Sequence, residues 1–270
     1  MALGTLLSAG VLACVEIGTG PNDAAAIELA PFASPSIVIG DSLRDINGAL
    51  ARITAIVRNI RGEEIVDAPV RFLYADYVRD SALVVDSASG IVHAVRRSTG
   101  SGGEARIAAR LGTTLQVLRT LIVTTRPDSM DVADAVVAEL VTSLPDTARP
   151  SDNPNRSAEI SATVRHKEGD VVTGVNAWLV QFRVVKPANP TNDTTGLVYL
   201  VNDAGRPSAI DTTDNGGTAR RRVRVRAALF PTESKPRDTV AVVVTTSYRG
   251  VAVGGAPDTV LVPVRRDTTP

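Results

Sequence analysis

The chain has 270 residues, enough for two domains of ordinary size, each with its own core. Its 29 basic and 29 acidic residues cancel, aromatics make up 3%, and lysine is confined to Lys167, Lys186 and Lys235. A neutral, aromatic-poor chain has neither the field nor the stacking platforms of a nucleic-acid binder, so that class of partner is set aside.

In chain order, Ala2 to Cys14 is an apolar run too short to span a bilayer, followed by a Gly/Pro/Asn/Asp turn. Val11-Leu-Ala-Cys14 is similar to a lipobox, although Leu12 is large for its place and no Lys or Arg precedes the run. Cys14 is the only cysteine, so no internal disulfide can form, and it is the candidate lipidation residue. Residues 15–23 read as a tether.

The strand signals begin at Ala24 to Phe32, with Pro31 and Pro35 breaking the run as at a sheet edge, and continue with Ser36 to Asp41. Ala51 to Asn59 alternates Ile53, Ala55 and Val57 with Arg52, Thr54 and Arg58, the mark of a half-buried strand. Arg61-Gly-Glu-Glu64 is its turn and Val70 to Tyr74 the return. Leu83 to Val85, Ile91 to Ala94, Glu104 to Leu111 and Leu118 to Thr125 complete seven or so short strands separated by turns, which predicts a sandwich.

The second half repeats the first. Ala51 to Phe72 is answered about 107 residues later by Ala158 to Trp178, with the same alternation around a glycine turn. Met130 to Leu140 suits either an amphipathic helix or an opening strand; the repeat favours a strand over Ala135 to Val141. Strands are then expected at Ala158 to Val164, Asn176 to Val185, Leu197 to Val201, Thr218 to Ala227, Asp238 to Thr245 and Thr259 to Val264, with Ser247-Tyr-Arg-Gly250 as a hairpin turn. The expected fold is all-β: two tandem sandwiches over 24–128 and 129–266, after a signal-like segment and tether at 1–23 and before a tail at 267–270.

These units resemble bacterial immunoglobulin-like domains of the invasin and intimin type. The resemblance rests on the strand from Ala51, Arg61-Gly-Glu-Glu64, Ala68-Pro-Val-Arg-Phe72, and Asp211-Thr-Thr-Asp-Asn-Gly-Gly-Thr-Ala219 with its weaker counterpart Ser98 to Ala105. It implies a stalk, spacer or adhesive module of the cell envelope, membrane-anchored if Cys14 is modified, and brings no catalytic residue with it.

Few residues have the spacing of a catalytic or metal site. His93 and His166 have no second ligand at zinc spacing. Asp193, Asp203, Asp211 and Asp214 are oxygen donors in turn-prone loops but lack the alternation of a calcium loop, and they also suit solvated turns. Glu63 and Glu64 are adjacent and face opposite ways, there is no Gly-x-Ser-x-Gly elbow, and Gly100, Gly102 and Gly103 are followed by neither a Lys-Ser/Thr pair nor a helix. Catalytic, metal and cofactor residues are therefore expected to be none.

Trp178 is expected in the core, and Tyr74 and Tyr77 partly exposed. The remaining cluster is Arg220 to Arg226. On a strand, Arg220, Arg222, Arg224 and Arg226 share one face and Arg221, Val223 and Val225 the other. Those four arginines are the candidate binding patch, for an envelope polysaccharide or a surface protein; the alternative is a solvated face paired with acids on neighbouring strands.

Overall fold

The computed structural model describes residues 23–134, 139–142, 157–188, 197–226 and 230–266. Cys14, Asp193 and most of the expected strand at 135–141 lie outside them. Among the described residues there is no α-helix; a single 3-10 turn covers Ser101–Gly103.

The first unit contains β1 (Ala24–Leu29), β2 (Ser36–Val38), β3 (Ala55–Asn59), β4 (Arg71–Tyr74), β5 (Leu83–Val85), β6 (Val92–Ala94), β7 (Glu104–Leu111) and β8 (Leu115–Thr124). One sheet has the order β2-β8-β7-β4, with β2 parallel to β8. Facing it are the pairs β1-β3 and β5-β6, linked by a bridge from Arg52 to Ile91.

The second unit contains β9 (Ser129–Ala133), β10 (Leu140–Thr142), β11 (Ser157–Glu168), β12 (Val171–Gly174), β13 (Leu179–Lys186), β14 (Val198–Val201), β15 (Ile210–Thr212), β16 (Thr218–Val225), β17 (Arg237–Thr245), β18 (Ser247–Tyr248), β19 (Val251–Ala252) and β20 (Asp258–Arg266). Its sheets are β10-β20-β17-β13-β15 and β12-β11-β16-β14, the latter extended by β9 on β11. In both units the opening strand is split. Its first half pairs antiparallel in one sheet (β1 on β3, β9 on β11), and its second half crosses to lie parallel to the last strand of the other (β2 on β8, β10 on β20). Both units are immunoglobulin-like β-sandwiches.

Alternation builds each core. In β11, Ala158, Ile160, Ala162 and Val164 are buried, and β17 and β20 contribute Val240, Val242, Val244, Val260, Val262 and Val264 around Phe182. The first unit packs Ile53, Phe72, Ile107 and Leu121 in the same way. Each such aliphatic side chain stabilises its unit by about 1.5–3 kcal/mol over exposure. The two clusters draw on separate stretches, 29–123 and 130–264.

The sequence repeat has physical content. Ile53 and Val57 are buried as Ile160 and Val164 are, and Gly62 and Gly169 both adopt positive φ, +80° and +59°. One reading is corrected: these turns do not return the chain to Val70 or Asn176 in the same sheet. The Gly169 turn closes a β11-β12 hairpin, after which the chain crosses to β13 in the opposite sheet, and β3 and β4 likewise lie in different sheets. The crossing gives each sandwich two sheets to pack together.

Candidate functional site

The expected arginine patch lies on β16, and the strand period divides it largely as read. Arg221 turns inward with Val223 and Val225, where it is paired with Asp211 at 2.8 Å and donates to Ser208 Oγ at 3.0 Å and to the Ile210 carbonyl. On the other face Arg220 is exposed and Arg222 half-buried, both facing Glu159 of the neighbouring strand β11. Arg222 Nη2 donates to Glu159 Oε2 at 2.6 Å, Arg220 Nε lies 3.9 Å from Glu159 Oε1, and Asp203 is 4.0 Å from Arg222.

Arg224 departs from the expected solvated face, because it is buried. Its guanidinium lies 5.8 Å from the Tyr199 ring centroid, and that of Arg226 lies 5.7 Å from the same ring. The mutual repulsion of four aligned guanidinium groups is thus met by Glu159, Asp203 and an aromatic face.

Of the acids considered for calcium, Asp211 and Asp214 are occupied locally. Asp211 serves Arg221 and accepts from the Arg220 amide at 2.7 Å, while Asp214 caps its own turn through the amides of Gly216 and Thr218. No group of three or more His, Cys, Asp or Glu among the described residues could hold a metal ion. His93 lies on β6, with Nδ1 3.3 Å from Ser42 Oγ. Tyr74 is buried, against expectation, because it alternates inward with Phe72; Tyr77 is 72% exposed.

The most highly organised polar cluster lies where the two units meet, and sequence reasoning missed it. The loop after β2 and the β18-β19 hairpin come together there. The hairpin has two central residues, Arg249 and Gly250, both at positive φ (+53° and +77°), the geometry that matches the twist of a tight hairpin. It presents Arg249 to Asp41, whose side chain is 4% exposed. Asp41 Oδ2 accepts from Arg249 Nε and Arg44 Nε, each at 2.9 Å, and Oδ1 from the Ser42 amide at 2.8 Å. Burial pushes the Asp41 carboxyl up, but the donors Arg249 and Arg44, with Ser42 and Tyr248, outweigh it and hold the group well below the carboxylate range.

Around this pair, Ser247 Oγ donates to the Ile46 carbonyl at 3.3 Å and the Arg249 guanidinium lies 5.3 Å from the Tyr248 centroid. Trp178 packs against the end of the second core with its ring 6.4 Å from Tyr248, and its Nε1 donates to Thr246 Oγ1 at 2.8 Å. Gly48 and Gly250 touch across the boundary: a Cβ on Gly48 would lie 2.0 Å from Gly250 N. In the connecting segment Asp128 accepts from Arg126 Nε (2.9 Å) and the Lys167 amide (2.9 Å), and lies 2.7 Å from His166 Nδ1. No helix of the described residues is long and apolar enough to cross a membrane.

No family model matches the chain, and no curated protein matches it. Among solved structures it is similar to the S-layer protein rSbsC(31-844), at 13% identity and TM-score 0.30, covering 92% of this chain and 29% of that one. The Yersinia pseudotuberculosis adhesin InvE is similar at 15% identity and TM-score 0.35, with 92% and 61% covered. Protocadherin Gamma B2 extracellular cadherin domains 1-5 are similar at 12% and 0.28, with 91% and 40% covered. The chain thus spans less than two thirds of the length of these proteins, and likenesses of this degree carry no argument about function.

Proposed function

We propose that the chain is a non-catalytic structural segment of a cell-envelope protein, in which two immunoglobulin-like sandwiches are coupled end to end as a spacer. The observation that carries this reading is the Asp41–Arg249 junction. A buried carboxylate held by one guanidinium from each unit, with two glycines touching beside it, resists bending as a loose linker does not. The loops that meet lie at the end of the first unit where β8 leaves and at the end of the second where β9 enters.

Attachment to the envelope rests on Cys14 in its lipobox-like setting. A metabolic fatty-acid label on the chain expressed from its full reading frame tests it: label lost in Cys14→Ser supports the anchor, and absence of label in the parent chain refutes it.

A second reading, a carbohydrate- or protein-binding module, is favoured by Arg220, exposed on β16, and the half-exposed Arg222 beside it. Titration against envelope polysaccharides and surface proteins, with an Arg220→Ser/Arg222→Ser variant alongside, separates the two. Saturable binding lost in the variant supports the module; none, or binding indifferent to the variant, leaves the β16 face with a structural role.

A further inference from the structure

The outer face of the sheet β2-β8-β7-β4 in the first unit differs from the charge-balanced face around β16. Cross-strand register places Leu73, Ala108 and Leu118 in one row, with Arg71, Arg110 and Gln116 in the next. Leu73 is 38% exposed and Leu118 47% exposed, and the smaller Ala108 between them is buried at their base. Past the end of β4, Tyr77 stands 72% exposed and Val78 79% exposed. Leu73, Tyr77, Val85, Ala108, Arg110 and Gln116 line a groove of about 520 Å³ that runs over the β4 edge.

Charge is distributed unevenly across the apolar row. On one side Arg106 is neutralised within the unit, its Nε donating to Asp76 Oδ1 at 2.9 Å. On the other, neither Arg71 nor Arg110 has a carboxylate within 4 Å among the described residues; Arg110 Nε donates to the Gly112 carbonyl at 3.1 Å. An exposed tyrosine, an apolar floor and two uncompensated guanidinium groups at its rim have the composition of a protein-recognition hot spot, where Tyr and Arg dominate and surrounding apolar contacts exclude water.

We infer that this face is a docking surface for a protein segment presenting an apolar side chain next to carboxylates. The apolar side chain seats in the groove beside Leu73 and Tyr77, and the carboxylates meet Arg71 and Arg110 as charge-assisted hydrogen bonds. Charge complementarity decides the occupant, because a counter-charge of the kind that Asp76 supplies to the adjacent Arg106 is missing at Arg71 and Arg110. The surface is separate from the junction, and its fate is independent of the spacer reading.

The test uses the full chain as bait for phage-displayed random peptides. The enriched sequences are expected to combine apolar residues with Asp or Glu. A synthetic peptide of that consensus should bind about tenfold more weakly to Tyr77→Ser and to Arg71→Ser/Arg110→Ser, about 1.4 kcal/mol, with thermal unfolding little changed because Tyr77 and Arg71 are exposed and Arg110 is half-exposed. Arg71→Lys/Arg110→Lys should recover part of the affinity. Failure to enrich any peptide, a consensus without carboxylates, or affinity indifferent to the variants overturns the proposal. So does self-association of the chain in sedimentation that the same variants abolish, since the occupant would then be a second copy.

Discussion

Arg249, at the tip of a hairpin in the second unit, places its Nε 2.9 Å from Oδ2 of Asp41 in the first, across 208 positions of sequence. Asp41 is buried while Arg249 is half open to solvent, so the two ends of this bond differ in what their loss costs. Removing the acid leaves Arg44 and Arg249 facing one another without their common acceptor. Removing Arg249 leaves Asp41 still held by Arg44 and Ser42. Asp41→Asn is therefore expected to weaken the chain by about 1.5–3 kcal/mol, the range for hydrogen bonds to a charged group. Calorimetry is expected to show one unfolding transition in the parent chain and two, one per unit, in Asp41→Asn, whereas Arg249→Ala should shift the transition less.

A steric route to the same effect is available at Gly48. Its φ of +83° and the closeness of Gly250 leave no room for a side chain, whereas Gly62, at φ +80°, has open space around the same position. Gly62→Ala should cost only the left-handed backbone strain, about 1–2 kcal/mol. Gly48→Ala should cost that and also separate the units. Amide hydrogen exchange is the measurement: faster exchange around 44–48 and 247–250 in Gly48→Ala, with β7 and β17 still protected, is the expected pattern.

Acid should loosen the junction and one corner of the first unit. Asp41 has a folded pKa below its unfolded value of about 3.9. It therefore contributes stability that is complete above pH ~4 and is lost as pH falls toward the folded value. Asp80 behaves likewise: burial raises its pKa, but the Ser98 hydroxyl and the Thr99 amide, with Tyr74 and the Ala82 amide, bring it down to about 2. Unfolding followed by circular dichroism between pH 5 and 2 should show stability falling with pH, with a shallower fall in Ser98→Ala.

On β16, Glu159 is the acid shared by Arg220 and Arg222. Both arginines are partly solvated, so the pairings contribute little each, at most about 1 kcal/mol. Glu159→Gln should lower the melting temperature slightly at low salt, and added sodium chloride should restore it as screening replaces the lost carboxylate. A melting temperature independent of salt in the variant would mean that Glu159 compensates neither arginine.

Much of the fold is legible because the strand period is local. Ile160 and Val164 announce their buried face two residues at a time, and the match of Gly62 with Gly169 reports a repeated turn. The sheet to which a strand belongs is not local, which is why periodicity alone assigns the return from the Gly169 turn to β13 rather than to β12. The inward and outward division of Arg220 to Val225 is readable from parity, whereas Glu159, the compensating acid, lies 63 positions upstream of Arg222 in a strand whose register only the folded sheet sets. The junction is least readable. Arg249-Gly250 signals a hairpin and Ser36 to Asp41 a short strand run, and nothing in either segment says that they meet.

Whether the two sandwiches are held in one fixed relation is measured by pulsed electron spin resonance. Spin labels would be placed on Thr120→Cys in the first unit and Thr259→Cys in the second, both exposed positions, in a Cys14→Ser background. Two rigidly coupled units give one narrow interspin distance distribution, which broadens in Asp41→Asn and Gly48→Ala. A broad distribution in the parent chain, unchanged by those substitutions, would contradict it.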